Sequence, residues 1–171
     1  TSARFAPGTK HFVIEADEYD TAFFDKRAKF VHYRSRTLIL NNLEFDHADI
    51  YRDLNHVKNA FRKLIEIIPD DGSLVVCGDY PNAKEITAAA RCPCVSYGQT
   101  AESDWTAINI EFGEGRTFFE PCYHGKSEGR LEVDVIGRHN VMNALAVYAM
   151  GRFLEIGPAR LLSAFHGFAG V

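Results

Sequence analysis

Residues 38–47 read Leu38-Ile39-Leu40-Asn41-Asn42-Leu43-Glu44-Phe45-Asp46-His47, a short apolar run that leads directly into carboxylates and a histidine. Such an apolar run is typical of a buried β-strand. A helical repeat follows from about Asp53 to Ile67, and two further strand runs, Leu74–Cys77 and Cys94–Tyr97, flank a short helix over residues 82–91. This alternation predicts an α/β fold with a mostly parallel sheet flanked by helices.

A second stretch of the same kind covers residues 12–20 and reads Phe12-Val13-Ile14-Glu15-Ala16-Asp17-Glu18-Tyr19-Asp20. We expect a first strand over residues 12–15, with the Glu15 carboxylate partly desolvated at its end and in need of a partner. Ligands of open α/β sheets bind beyond the carboxyl ends of the strands, where acidic groups can hold a divalent cation against a phosphate. Glu15 and His47 are therefore candidate metal ligands. Asp17, Glu18 and Asp20 taken alone favour a solvated loop, because turns favour acidic residues, and a lone histidine such as His47 is more often a core or capping residue. Glu15 is more informative, because it follows the apolar run directly.

The chain changes character after residue 107. Alternating apolar residues around Ile108–Phe112, Thr117–Glu120 and Leu131–Val135 predict a small appended antiparallel sheet. Two helices should follow, over residues 140–154 and 159–166. Asn140 is expected as the N-cap of the first. Asn143 would share a face with Asn140, and carboxamides can pair with an adenine edge; helix capping alone is the simpler alternative.

Composition limits the classes of function. The chain has 171 residues, of which 46% are hydrophobic and 25% charged, so it can bury the core of one domain. A net charge of -4 argues against a general nucleic-acid surface, and no nucleic-acid partner is expected. No apolar run approaches the roughly 20 residues that cross a bilayer, so we expect no membrane association and a cytoplasmic setting.

Three motifs taken together resemble the central ATPase domain of the Mur ligases, the ATP-dependent enzymes of peptidoglycan assembly. They are Glu15-Ala16-Asp17-Glu18, then Asn41-Asn42-Leu43-Glu44-Phe45-Asp46-His47, then Gly137-Arg138-His139-Asn140-Val141-Met142-Asn143 at a helix start. The wording of residues 15–27 and of residues 41–49 makes the chain most similar to the branch of this family that acts in murein recycling. The resemblance covers nearly the whole chain.

The resemblance implies a role for each of these residues. Glu15 would be a ligand of the Mg²⁺ shared with the ATP phosphates, and His47 would bind a second Mg²⁺ near the substrate carboxylate, which makes these two the catalytic pair. His139, Asn140 and Asn143 would hold the adenine and its surroundings. The implied substrates are UDP-N-acetylmuramate and the murein tripeptide L-alanyl-γ-D-glutamyl-meso-diaminopimelate, joined through an acyl phosphate.

The resemblance also implies a domain organisation. Residues 1–171 would be a Mur ligase central domain that lacks its first strand and phosphate loop, with the UDP-binding and C-terminal domains absent. We therefore expect the piece alone to be inactive. Three alternatives stay open: a UDP-N-acetylmuramate–L-alanine ligase, a phosphoacceptor domain that uses Asp17 or Asp46, and a non-catalytic α/β interaction domain.

Overall fold

The structure is a computed structural model in which residues 8–16 and 18–166 are described. Its first regular element is a small two-stranded antiparallel sheet of β1 (Asp20–Ala22) and β2 (Asp25–Ala28). A one-turn helix, α1 (Phe30–Tyr33), leads from this hairpin to the main sheet. The sequence pattern does not predict the hairpin, because β2 reads Asp-Lys-Arg-Ala and lacks an apolar alternation.

The parallel half of the main sheet contains the three predicted strand runs and a fourth strand, Trp105–Phe112, whose sequence predicts an antiparallel strand instead. In spatial order β3 (Thr37–Leu40), β4 (Ser73–Cys77), β5 (Cys94–Gly98) and β6 (Trp105–Phe112) are neighbours, and each pair is parallel. All five residues of β4 are buried, as expected for a central strand that is covered on both faces.

The antiparallel strands continue this sheet. β7 (Thr117–Tyr123) runs antiparallel to β6, and β8 (Lys126–Ser127) and β9 (Leu131–Val133) both pair antiparallel with β7. The fold class is confirmed: a mostly parallel sheet flanked by helices, together with antiparallel strands. The antiparallel strands join the parallel ones through the β5–β6 pair, so they extend the same layer.

The helices lie close to their predicted positions. They are α2 (Leu54–Glu66), α3 (Pro81–Ile86), α4 (Arg138–Phe153) and α5 (Pro158–Phe165). Asp53 caps α2 by accepting a hydrogen bond from the His56 backbone N–H at 2.8 Å. α3 is shorter than predicted and tightens into a 3₁₀ turn over Thr87–Ala89, where the Thr87 hydroxyl donates to the Lys84 carbonyl and so competes with the helical pattern. None of the described helices is long and apolar enough to cross a membrane.

The two faces of the sheet pack against different helices. Leu74 and Val76 of β4 belong to one core, which includes residues of α2 and α3, whereas Val75 and Cys77 belong to a second core with α4. Side chains alternate between the two faces of a strand, so every second residue at the carboxyl end of each strand faces α4.

The predicted strand over residues 12–15 is wrong. Residues 11–16 form neither helix nor strand, and Phe12, Val13 and Ile14 are 63%, 90% and 46% exposed. Glu15 is also exposed, so its carboxylate is not desolvated as expected. An apolar run becomes a strand only when a neighbour supplies backbone hydrogen bonds, and within the described residues the edge strand β3 pairs with β4 alone.

Candidate active site

A cleft of about 390 Å³ opens at the carboxyl ends of β3, β4 and β5, beside the first turn of α4. We call it the α4 cleft. Open α/β sheets bind ligands at this edge, and the volume is in the range of small-molecule sites. Its lining combines polar side chains with aromatic and apolar surface and consists of Asn41, Asn42, Cys77, Asp79, Tyr80, Tyr97, Gln99, Arg138, His139, Met142 and Asn143.

Hydrogen bonds fix the part of this cleft that the strands supply. The Tyr97 hydroxyl lies 2.7 Å from Oδ1 of Asn41, and both carboxylate oxygens of Asp79 accept the Gln99 backbone N–H, at 3.0 and 2.9 Å. Burial raises the pKa of Tyr97 and that of the Cys77 thiol. Both side chains therefore stay uncharged at neutral pH and give the cleft a neutral inner wall.

The start of α4 brings two of the predicted adenine-site residues to the cleft. His139 and Asn143, four positions apart and thus on one face of the helix, both line it. The N-cap is Gly137, with a left-handed φ of 113°, so the prediction that Asn140 caps the helix is wrong. Asn140 lies within the first turn instead, does not line the cleft, and donates through Nδ2 to the Ile136 carbonyl at 2.8 Å.

A second cleft, of about 240 Å³, surrounds His47, and we call it the His47 cleft. Its rim is acidic and its floor apolar; the lining is Glu18, Asn42, Leu43, Glu44, Phe45, Asp46, His47, Tyr51, Val57 and Phe61. His47 adopts a left-handed φ of 54°, a conformation that is uncommon outside glycine and found often at functional sites.

Among the described residues, Glu18 has the carboxylate nearest to the His47 imidazole. Its Oε1 lies 2.7 Å from Nε2 of His47, whereas Oδ2 of Asp46 lies 3.8 Å away. The Tyr51 hydroxyl donates to the Glu18 carbonyl at 2.7 Å, and the Tyr19 ring lies 4.5 Å from the imidazole. Sequence reasoning missed Glu18, because nothing in the acidic run separates it from its neighbours.

The two clefts adjoin, since Asn42 lines both. The structure thus brings His47, His139 and Asn143 to one edge of the sheet. Glu15 lines neither cleft and is exposed, and Asp17 lies outside the described residues. The sequence argument paired Glu15 with His47; in the structure the carboxylate beside His47 is that of Glu18.

The residues present fit a nucleotide and a magnesium ion. The α4 cleft offers carboxamides and an imidazole, which can donate to and accept from a purine ring. Among residues 8–16 and 18–166, no three His, Cys, Asp or Glu side chains cluster in a way that could hold a metal ion. Mg²⁺ usually takes only one or two protein carboxylates and completes its shell with water and phosphate oxygens, so the small donor set of Glu18 and His47 is compatible with it.

Comparison with protein families gives one match that covers most of the chain: residues 1–151 match the Mur ligase middle domain. Among curated proteins, the chain is 42% identical over 139 residues to the UDP-N-acetylmuramate–L-alanyl-γ-D-glutamyl-meso-2,6-diaminoheptandioate ligase of Haemophilus influenzae, covering 81% of this chain and 30% of that protein. It is 35% identical over 171 residues to the UDP-N-acetylmuramate–L-alanine ligase of Syntrophotalea carbinolica, covering all of this chain and 36% of that protein.

Comparison with solved structures also finds Mur ligases. The crystal structure of the UDP-N-acetylmuramate:L-alanyl-γ-D-glutamyl-meso-diaminopimelate ligase from Neisseria meningitides superimposes with a TM-score of 0.81 at 43% identity, covering 94% of this chain and 48% of that one. The chain spans about a third of the length of the curated relatives it matches.

Proposed function

The chain belongs to the Mur ligase family, as its middle domain, and on that premise we propose that it forms the ATP-binding centre of an amide ligase. The proposed reaction joins UDP-N-acetylmuramate to the tripeptide L-alanyl-γ-D-glutamyl-meso-diaminopimelate. One observation carries the proposal: the cleft that contains His139 and Asn143 adjoins the cleft that contains His47, and Asn42 is common to both. A nucleoside in the first cleft can therefore direct its phosphates toward the second.

In the proposed reaction the γ-phosphoryl group of ATP passes to the lactyl carboxylate of UDP-N-acetylmuramate and gives an acyl phosphate. The amine of the tripeptide then attacks the acyl carbon, and phosphate leaves. His139 and Asn143 would hydrogen-bond the base, and positioning of the two anionic reactants at one edge of the sheet would supply much of the rate.

Metal ligands complete the proposed site. Bound Mg²⁺ would supply positive charge that offsets the negative charge on the phosphate oxygens. From the family motifs we propose Glu15 as a ligand of one Mg²⁺, shared with the ATP phosphates, and His47 as a ligand of a second Mg²⁺ near the substrate carboxylate. Glu18, whose Oε1 lies 2.7 Å from Nε2 of His47, would be a further donor to the second ion. Because Glu15 is exposed on residues 11–16, its carboxylate is open to a ligand from the solvent side.

The amine substrate implies a cellular role. A preformed tripeptide is a product of peptidoglycan breakdown, so an enzyme that attaches it in one step would return murein fragments to synthesis, in the cytoplasm where ATP is available. The similarity to ligases named for this tripeptide, at 42% and 40% identity, favours this substrate.

The test is phosphate release by the full-length protein with ATP, Mg²⁺, UDP-N-acetylmuramate and either the tripeptide or L-alanine. We expect rapid release and amide product with the tripeptide, and little with L-alanine. The 171-residue chain alone should give no release above background. Absence of ATP-dependent amide formation with both amines would refute the proposed function.

L-alanine is the second candidate substrate, because the chain is also 35% identical over its whole length to a UDP-N-acetylmuramate–L-alanine ligase. The same assay separates the two possibilities. A higher kcat/KM with L-alanine than with the tripeptide would support the proposed ligase reaction but show that L-alanine is the amine substrate.

A further inference from the structure

Tyr97 is a large side chain of the α4 cleft and is almost completely buried, at 1% exposure. Its hydroxyl reaches Asn41, a residue 56 positions earlier in the chain, on the far side of β4. In the parallel register Tyr97 lies opposite Cys77 and Leu40 lies opposite Val76. Asn41, the residue after Leu40, therefore lies level with Cys77 and Tyr97 across the three strands. The Tyr97 side chain crosses β4 to reach it.

The geometry accounts for this reach. Neighbouring strands are about 4.8 Å apart, so β3 and β5 are about 10 Å apart, a gap that a tyrosine and an asparagine together can close. Cys77 and Tyr97 both belong to the core on the α4 side of the sheet. The hydrogen bond thus links the ends of two strands that share no backbone hydrogen bonds.

This contact determines which groups Asn41 presents to the cleft. Oδ1 of Asn41 accepts the hydrogen bond from Tyr97 at 2.7 Å. Its Nδ2 makes no hydrogen bond to any other residue in the described part of the chain, although Asn41 is exposed and lines the cleft. A carboxamide held by its oxygen has a fixed orientation and directs its two N–H donors away from that contact.

We propose that Tyr97 is a positioning residue that holds the Asn41 carboxamide so that its NH₂ group donates to an acceptor atom of the nucleotide in the α4 cleft. The identity of the ligand rests on the proposed function; the orientation of Asn41 by Tyr97 does not. Burial keeps the Tyr97 hydroxyl protonated, so it serves as a donor to Asn41 across the physiological pH range.

The kinetic test uses the full-length protein and the substitution Tyr97→Phe, which removes only the hydroxyl. We expect KM for ATP to rise about 3–10-fold, the factor for one lost hydrogen bond, while kcat stays within about twofold. KM for the tripeptide should not change. Asn41→Ala should have the same effect, and the double variant should lose nothing further, because both substitutions remove one interaction.

Tyr148→Phe is the matched control. Tyr148 is also fully buried, and its hydroxyl lies 2.9 Å from Oε2 of Glu128, outside both clefts. It should lower the melting temperature without changing KM for ATP. An unchanged KM in Tyr97→Phe, additive effects with Asn41→Ala, or an equal rise in Tyr148→Phe would overturn the proposal.

A measurement without turnover separates this proposal from the proposed function. In full-length protein labelled with [¹⁵N]asparagine, Tyr97→Phe should shift the side-chain NH₂ resonance of Asn41 in the absence of any ligand, whereas Tyr148→Phe should not. If wild-type protein formed no amide but Tyr97→Phe still shifted the Asn41 resonance, the proposed function would be refuted and the positioning of Asn41 by Tyr97 would be supported. If Tyr97→Phe did not shift the Asn41 resonance, the positioning of Asn41 by Tyr97 would be refuted, whether or not the wild-type protein is active.

Discussion

The carboxylate of Glu18 lies 2.7 Å from Nε2 of the His47 imidazole, although the two residues are 29 positions apart in the chain. The backbone carbonyl of Glu18 is held by the Tyr51 hydroxyl. The imidazole packs 4.5 Å from the Tyr19 ring. Nε2 of His47, through which the imidazole could bind a cation, therefore lies next to a carboxylate oxygen that could bind the same cation.

This contact predicts that Glu18 takes part in cation binding. Glu18→Ala should weaken Mn²⁺ binding by the full-length protein about tenfold, because the site loses one charged oxygen donor. His47→Ala should weaken it comparably, and Mn²⁺ titration followed by electron paramagnetic resonance measures both. Glu114→Ala, in the exposed turn between β6 and β7, is the control. Unchanged affinity in Glu18→Ala beside a loss in His47→Ala would show that Glu18 is only a neighbour.

The first turn of α4 predicts different roles for its two asparagines. Asn143→Ala should lower the affinity of the full-length protein for a non-hydrolysable ATP analogue about tenfold, since Asn143 lines the α4 cleft. Asn140→Ala should change this affinity less and should lower the free energy of unfolding by about 1 kcal/mol, because its amide holds the Ile136 carbonyl. Calorimetric titration and thermal unfolding measure the two quantities. Equal losses of affinity would show that both amides contact the nucleotide.

An ion-pair network between α2 and α3 predicts a pH dependence of stability. Oε2 of Glu85 accepts from the buried Lys58 ammonium at 2.6 Å, and this hydrogen bond lowers the pKa of Glu85 below its ordinary 4.5. A carboxylate with a lowered pKa stabilises the fold above its unfolded pKa, and this contribution disappears as the pH falls through the folded pKa. Glu85→Gln should therefore lower the melting temperature at neutral pH, and the difference from wild type should shrink below pH 4.5.

Glu66→Gln is the control for this experiment, because Glu66 is an exposed glutamate at the end of α2. It should leave the melting temperature close to that of wild type at both pH values. If the difference in melting temperature between Glu85→Gln and wild type stayed constant over this pH range, the network would stabilise the fold by packing and not by charge.

The turn before β4 predicts a glycine that cannot be replaced. A Cβ on Gly72 would lie 2.6 Å from Cγ2 of Ile68 and 2.8 Å from the Pro69 carbonyl oxygen, and it would also collide with the Arg36 carbonyl. Because two of these atoms are backbone, Gly72→Ala should lower the free energy of unfolding by about 1–3 kcal/mol. Gly113→Ala is the control, since its nearest neighbours would be at ordinary contact distances of 3.8 and 3.9 Å. Denaturant unfolding that gave equal values for both variants would contradict the prediction.

Local pattern was sufficient for much of the fold. The apolar runs of β3, β4 and β5 and the helical repeat of α2 predicted a parallel α/β layer. The motifs also placed His47, His139 and Asn143 at the carboxyl edge of that layer. The strands, the helix and the edge position of His47 follow from periodicity and from the rule that parallel strands end on the same side. The grouping of His139 and Asn143 with His47 follows from the resemblance of the three motifs to the family.

Local pattern failed where an element depends on a partner. Residues 12–15 have strand-like side chains but no neighbouring strand in the described structure, whereas the charged residues of β2 form a strand because β1 lies beside them. Asn140 has the side chain of an N-cap, yet the helix begins at Gly137.

The sequence by itself determined the class of the sheet, the edge of the sheet where the candidate site residues lie, and the family. Only the tertiary structure decided that Glu18 is the carboxylate beside His47 and that Tyr97 holds Asn41. The physical reason is that each of these contacts joins side chains from segments distant in the chain, so its distance is set by how the strands and loops pack and not by the residues that flank it.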